Sequence, residues 1–161
     1  MKTLKPELLT PQAFKLYGDV IEIGDSVGIS INSGNCIRYS DLAALDIDRS
    51  GTTGISIFDA KPYASPIQLN YVERHPLGSQ AFIPMTNDHF IVVVADDVNG
   101  VPQQPRVFIT NGAQGVNYGR NVWHGVLTPI LKQSLFSVVD YIGNGDNLEE
   151  CAFDTPYLIE Y

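Results

Sequence analysis

The sequence predicts a mainly β protein, an antiparallel sandwich or small barrel with one short helix near the N-terminus. Short segments rich in Val, Ile, Phe and Tyr alternate with turn signals built from Gly, Pro and Asn, a pattern typical of all-β architectures. Only one segment carries a helix-start signal. The chain has no internal repeat, linker or low-complexity run, so we expect residues 1–161 to form a single domain.

The predicted helix begins after Thr10. Its hydroxyl can accept amide hydrogens of the first turn, and Pro11 takes the first helical position, where no donor is needed. Gly18 is expected to end the helix. The acidic, aromatic tail at 147–161 is expected to lie across the outside of the barrel or at a subunit contact. Strands are predicted at 19–23, 36–39, 52–58, 67–73, 90–95, 106–110, 116–118, 122–127 and 134–142.

The charge balance narrows the choice of partners. The chain has 10 Lys plus Arg against 18 Asp plus Glu, a formal net charge of −8, which argues against nucleic acid and anionic membrane surfaces. No apolar segment follows the first lysines and no apolar run is long enough to span a bilayer. Cys36 and Cys151 lie far apart without a motif and are interpreted as free thiols of a reducing cytoplasm. A small-molecule partner is the remaining expectation.

The candidate site combines two separated stretches, ERHPLGSQAFIPM at 73–85 and GRNVWH at 119–124. In an extended strand alternate side chains share a face, so Glu73 and His75 point the same way. The same parity places Tyr118, Arg120 and His124 together. The Pro-Leu-Gly after His75 favours a turn that brings Gln80 back beside it. Four polar side chains are therefore expected to converge in an apolar barrel: Glu73, His75, Gln80 and His124.

Two interpretations of this cluster stay open. Neutral imidazole is both a proton carrier near neutral pH and a common metal ligand, so His75 and His124 favour a functional site. The structural alternative is a hydrogen-bonded network, in which Glu73 pairs with a neighbouring arginine. Arg120 and Arg38 are candidates for gripping a substrate carboxylate, or ordinary surface residues.

The two stretches resemble the cupin motifs, in which His-x-His is followed by Glu and a second motif closes with Pro-x-Gly-x-x-His. Here Glu73 stands for the first histidine, Gln80 for the glutamate, Gly119 for the proline and Asn121 for the glycine. Asn is the next-best residue for a left-handed turn, so the backbone is expected to survive that last change. The mixed oxygen and nitrogen ligands are expected to bind a metal less firmly than three histidines and a carboxylate.

Beyond those motifs, ERHPLGSQAFIPM, VFITNGAQGVNYGRNVWH and the opening TPQAFKLYGDVIE closely resemble the ureidoglycolate lyase family. The resemblance covers nearly the whole chain. It implies a cytoplasmic homodimer with a cupin-like antiparallel β-barrel of the jelly-roll type. It also implies cleavage of (S)-ureidoglycolate to glyoxylate and urea in allantoin and purine nitrogen catabolism, with a divalent ion such as nickel.

That reaction needs a base at the substrate hydroxyl and an acid at the departing nitrogen. In a metal-free site His75 and His124 are the candidates, with their assignment open. If an ion sits on the four-residue cluster, proton transfer falls to water or Tyr118. The substrate carboxylate is assigned to Arg120 and Arg38, with help from backbone near Asn117 and from Gln80. The alternatives are another cupin enzyme for a small hydroxy acid, or a ligand-binding barrel without turnover.

Overall fold

A computed structural model describes residues 1–161 and confirms the mainly β fold. It contains one α-helix, α1 (Pro11–Phe14), and a 3₁₀ turn at Asn32–Gly34. The strands are β1 (Lys2–Leu4), β2 (Glu7–Leu8), β3 (Gly18–Ile21), β4 (Ile29–Ile31), β5 (Cys36–Arg38), β6 (Gly51–Ala60), β7 (Ile67–Arg74), β8 (Gln80–Pro84), β9 (Phe90–Ala95), β10 (Asp97–Val98), β11 (Val101–Pro102), β12 (Arg106–Ile109), β13 (Gly115–Tyr118), β14 (Trp123–His124), β15 (Thr128–Pro129), β16 (Ser134–Gly143) and β17 (Glu149–Ile159).

Two sheets hold most of these strands. The first runs in the order β1-β17-β7-β14-β9-β12-β2, with β15 also on β9, and the second in the order β3-β13-β8-β16-β6. Pairing is antiparallel except where β1 meets β17 and β2 meets β12, so the expected antiparallel arrangement holds apart from two edge strands. Two small hairpins, β4–β5 and β10–β11, stand apart.

The main core lies between the sheets and follows from period-two patterning. On β9, Phe90, Val92 and Val94 point into this core, while the alternate residues of the strand join a second cluster on the other face of the first sheet. Every residue of β9 is buried, which explains why it reads as a continuous apolar run. Phe136 and Val138 of β16 close the core from the second sheet. The strands that carry the polar cluster belong to both of these sheets.

The N-terminal helix forms as its signals predict but is shorter. The Thr10 hydroxyl accepts the Ala13 amide, and Pro11 is the first residue of α1. Gly18 lies beyond the helix, at the start of β3, with a positive φ of 143°. A Cβ there would lie 1.9 Å from the Asn117 carbonyl oxygen, so close strand pairing requires glycine. No helix in the chain has the length and apolar character of a membrane span.

The acidic tail is not an external strap. Most of it forms β17, which pairs with β7 on one side and with β1 on the other. A register shift between Ala152 and Tyr157 lets the strand carry extra residues without losing its partners. The expectation that it lies across the outside of the barrel was wrong, because the irregular residues of this bulge conceal the strand period in the sequence. The alternative, a subunit contact, stays a prediction.

Candidate active site

The cluster forms where three strands, β7, β8 and β14, come together. Glu73 lies near the end of β7, and His124 on β14 pairs directly with it across the first sheet. The Pro76–Leu77 turn after His75 leads into β8, which belongs to the second sheet. The turn therefore carries the chain across the barrel, and Gln80 Oε1 ends 3.2 Å from His75 Nε2.

The second stretch is not one extended strand. It leaves strand geometry between β13 and β14, and Asn121 adopts a left-handed φ of 66°, as its position in the motif predicts. The Asn121 amide donates to the His75 carbonyl at 3.0 Å, so the two stretches are joined through main chain. This turn breaks the alternation, and Arg120 no longer shares a face with Tyr118 and His124.

Three side chains present ligand atoms to one point. One possible ligand atom from each of Glu73, His75 and His124 lies within 4.8 Å of the other two. These three residues could therefore bind one metal ion together. His75 Nε2 and Glu73 Oε1 are 3.9 Å apart. The two imidazole rings lie 5.2 Å apart, centroid to centroid. The amide oxygen of Gln80 adds a fourth donor beside them.

His124 is held as a neutral ring with one free nitrogen. The side chain is 1% exposed, and burial is the main cause that lowers its pKa to about 3, with the neighbouring His75 as a smaller one. Its Nδ1 lies 3.0 Å from the Gly125 carbonyl, which accepts only, so Nδ1 carries the proton. Nε2 is buried without a hydrogen-bond partner. An unpartnered buried lone pair of this kind is available to a substrate proton or a metal ion.

The neighbours of His124 are also shifted by burial. Desolvation raises the pKa of Glu73, against the opposing effect of His75. Burial and the Glu73 charge raise the pKa of Tyr118, so its phenol keeps its proton at neutral pH. The Tyr118 ring stacks on His124 with 4.2 Å between centroids and 8° between planes. Tyr118 thus fixes the imidazole plane and is suited to donate a hydrogen bond.

A cavity of about 360 Å³ borders the cluster, and neither His75 nor His124 is among its lining residues. Glu73 and Gln80 line it, and the other lining residues are mainly apolar. No lysine or arginine is among them. A small polar substrate would therefore meet its specific contacts at the cluster end of a mostly apolar space. The remaining lining residues are Phe58, Asp59, Ala60, Phe82, Val126 and Leu127.

Three predicted binding residues lie elsewhere. Arg120 donates to the Pro76 carbonyl at 2.5 Å and pairs with Asp48 at 2.9 Å, so its charge is already compensated. Arg38 is exposed on the β4–β5 hairpin. The Asn117 side chain donates to Asp19 and to the Ala44 carbonyl, and alternation places it on the face opposite Tyr118. The structure does not bring these three side chains to the cavity.

Two contacts of the cluster were missed in the sequence. Asp140 accepts a hydrogen bond from Gln80 Nε2 at 3.1 Å, and the Asn147 carbonyl lies 2.6 Å from His75 Nδ1. Asn147 also binds the Leu77 amide through its side chain, which holds the turn after His75. The sequence does carry a signal for Asp140, because alternation on β16 places it on the same face as the buried Phe136 and Val138. The sequence carries no signal that would have pointed to Asn147.

The donor set fits a divalent cation. Two imidazole nitrogens, a carboxylate and an amide oxygen suit a borderline transition-metal ion. Each histidine offers its second nitrogen to a main-chain carbonyl, the usual support for a ligating imidazole. The unpartnered Nε2 of His124 is the position that such an ion would satisfy. A possible metal site is therefore a property of this structure.

Comparison with known proteins shows the family of this chain. The family model described as ureidoglycolate lyase matches residues 1–160. The ureidoglycolate lyase 2 of Rhizobium meliloti (strain 1021) is 49% identical over 95% of this chain and 94% of its own length. The ureidoglycolate lyase of Chelativorans sp. (strain BNC1) is 48% identical over 99% of this chain and 97% of its own length. A solved 3,4-ketoisomerase from Helicobacter canadensis aligns with a TM-score of 0.43 at 17% identity, over 81% of this chain and 87% of its own. The chain belongs to the ureidoglycolate lyase family.

Proposed function

We propose that this protein is a carbon–nitrogen lyase that cleaves (S)-ureidoglycolate to glyoxylate and urea, a step of allantoin and purine nitrogen catabolism. One observation supports this most strongly. Within a family of that name, the chain gathers Glu73, His75 and His124 around one point beside a cavity for a small molecule. Proton carriers and potential ligands are thus placed where a compact hydroxy acid would sit.

The reaction requires removal of the hydroxyl proton, collapse of the oxygen lone pair into a carbonyl, and protonation of the departing urea nitrogen. In an ion-free site His124 Nε2, unprotonated and unpartnered, takes the hydroxyl proton. His75, about 5 Å away by ring centroid, is the proposed acid in its doubly protonated form, with Nε2 lying 3.9 Å from the Glu73 carboxylate oxygen. Apolar side chains such as Phe58 and Phe82 line the space in which the substrate would sit.

In an ion-loaded site Glu73, His75, Gln80 and His124 would hold a divalent metal, proposed from the family resemblance to be nickel. The ion would supply Lewis-acid polarisation of the substrate hydroxyl and carboxylate. Tyr118, whose phenol keeps its proton, is then the proposed donor to the departing nitrogen, directly or through water. Gln80 is also a proposed substrate contact, because it lines the cavity.

Further parts of the proposal concern the whole chain. We propose a homodimer that acts in the cytoplasm, with residues 1–161 as a single domain. The two cysteines are free thiols, in keeping with a reducing compartment. Arg120, Arg38 and Asn117 keep a proposed role in substrate binding only if substrate or a second subunit rearranges them.

The test is to mix purified protein with racemic ureidoglycolate and to follow glyoxylate, urea and ammonia. Consumption of one enantiomer with equal amounts of glyoxylate and urea supports the lyase. Ammonia in place of urea would make the protein a hydrolase, and binding without product would make it a ligand-binding barrel. The metal content of protein purified without a His-tag separates the two mechanisms.

A further inference from the structure

We propose that Asp140 is a positioning residue whose carboxylate orients the side-chain amide of Gln80, so that the amide oxygen faces His75 and the ligand cluster. The inference rests on the proposed function, because it concerns how the cluster is prepared to hold a cation. Asp140 does not belong to the triplet with ligand geometry, so it acts through Gln80.

The orientation follows from what each group can donate or accept. Gln80 Nε2 donates to Asp140 Oδ2 at 3.1 Å, and Gln80 Oε1 lies 3.2 Å from His75 Nε2. An ionised carboxylate accepts hydrogen bonds and donates none, so it selects the nitrogen edge of an amide. The oxygen edge is then left pointing at His75. β16 pairs with β8, which fixes Asp140 and Gln80 on neighbouring strands of one sheet.

The other nitrogen of His75 is fixed in the same way. Nδ1 lies 2.6 Å from the Asn147 carbonyl and must carry a proton there. In a neutral ring Nε2 is then a lone pair that faces the Gln80 oxygen. Two acceptors in contact repel unless a proton or a metal ion lies between them, so this pair is suited to hold a positive charge.

Without Asp140 the amide would be free to rotate. Its NH₂ group would then donate to His75 Nε2 and occupy the lone pair that a metal ion needs. Asp140 keeps the Gln80 NH₂ group away from His75 Nε2, so this lone pair and the Gln80 oxygen remain free to bind a metal ion. The position of an acid on the inward phase of β16, next to Phe136 and Val138, is explained by this task.

The test compares two substitutions by calorimetric titration with Ni²⁺. Asp140→Ala removes the acceptor, and we expect Ni²⁺ affinity to fall by about 10- to 100-fold, the usual effect of losing a partner of a metal ligand. Asp140→Asn removes the charge but keeps an oxygen that can accept from Gln80, so its affinity should stay much closer to that of the unmodified protein. Asp154→Asn, an equal charge change at an exposed site on β17, is the control.

Equal losses in Asp140→Ala and Asp140→Asn would mean that the charge acts through space, and would overturn the inference. So would full affinity in Asp140→Ala. A double-mutant cycle adds an independent check, because in a Gln80→Leu background the substitution of Asp140 should have no further effect on Ni²⁺ affinity. An additive loss would show that Asp140 does not act through Gln80.

A third readout needs neither metal nor turnover, and does not depend on a variant that folds. In ion-free, unmodified protein the Gln80 side-chain amide protons should show nuclear Overhauser contacts to the Asp140 β-protons. Contacts to the His75 ring instead would overturn the inference. Absence of lyase activity or of Ni²⁺ binding would count against the proposed function and leave this measurement unaffected.

Discussion

At His124 a main-chain carbonyl decides which ring nitrogen carries the proton. The Gly125 oxygen holds the proton on Nδ1, the stacked Tyr118 ring fixes the imidazole plane, and Nε2 is left bare in a buried site. The same device acts on His75 through Asn147. Both rings are therefore prepared as acceptors by contacts that carry no charge.

Substitution of His124 tests its chemical role. His124→Ala should reduce turnover of ureidoglycolate by about 100-fold or more, because it removes a proton acceptor or ligand at the reacting atoms. The fold should persist at reduced stability, since the variant loses the Nδ1 hydrogen bond to Gly125 and the stacking contact on Tyr118. The measurement is glyoxylate release per folded molecule. His89→Ala is the control, because His89 contacts the Thr110 carbonyl outside the cluster; equal rates for the two variants would remove His124 from the mechanism.

The buried state of His124 also predicts a pH dependence of stability in ion-free protein. Its pKa falls from 6.5 to about 3 on folding. Between these values the unfolded chain binds a proton that the folded chain does not, so the free energy of unfolding should decrease as pH falls below 6.5, by at most about 1.4 kcal/mol per pH unit. Urea unfolding with a chelator at several pH values measures this slope. His124→Ala should lose the contribution, and an unchanged slope would refute it.

The polar residues that sequence reasoning brought together lie on strands or, for His75, directly after β7. Glu73 and His124 pair directly across β7 and β14, so strand parity was sufficient. Arg120 failed that reasoning because the chain turns at Asn121, where φ is positive. Asp140 and Asn147 were missed because their partners are far away in sequence. Parity does not say that β16 pairs with β8, and Asn147 lies in a loop.

At the scale of elements, one arginine ties together the strands that carry the site. Arg74 lies between Glu73 and His75 in sequence and points to the opposite face. It binds Asp97 at 2.9 Å and Glu149 at 2.6 Å, and its guanidinium lies 4.2 Å from the centroid of the Trp123 ring. Trp123 precedes His124 and donates to the same Asp97 oxygen at 2.8 Å. Arg74 therefore holds β7 and β14 together on the face opposite Glu73 and His124.

A matched pair of variants tests whether the contacts of Arg74 position the site. Arg74→Met should lower stability by about 1–3 kcal/mol, from loss of charged hydrogen bonds and the aromatic contact, and should also lower turnover by about tenfold. Arg106→Met removes a similar combination, an ion pair with Glu7 and a stacking contact on Phe108, away from the cluster. It should lower stability alone. Full turnover per folded Arg74→Met molecule would show that Arg74 does not position the site.

The fold class could be predicted because most strands alternate or are uniformly apolar, as in β9. The assignment of strands to sheets could not. The Pro76–Leu77 turn looks like a hairpin in sequence, yet β7 and β8 belong to different sheets. The turn brings Gln80 beside His75 as predicted, but the change of sheet, which also brings Asp140 to the cluster, was not predicted.

At the scale of the whole molecule, the outer face of the second sheet bears on the proposed dimer. β6 is an edge strand, and its outward residues Ile55 and Ile57 are 75% and 55% exposed. Leu135 on the neighbouring strand extends this apolar surface. An open edge beside exposed aliphatic side chains is a surface that a second copy of the chain would cover.

The dimer proposal is checked by light scattering after size exclusion. The unmodified protein should have twice the 17.7 kDa mass of the chain, and Ile55→Lys should shift it to one chain, because a buried lysine at a two-fold contact also meets its own copy. Val27→Lys, a change at an exposed residue before β4, should leave the mass unchanged. A single-chain mass for the unmodified protein would contradict the proposal.

The convergence of two separated stretches on one cation is tested most directly by X-ray absorption of protein loaded with one equivalent of Ni²⁺. The account predicts a first shell of nitrogen and oxygen donors with the scattering of two imidazole rings, and the loss of one ring in His124→Ala. A nickel shell without imidazole, or one unchanged in that variant, would contradict it.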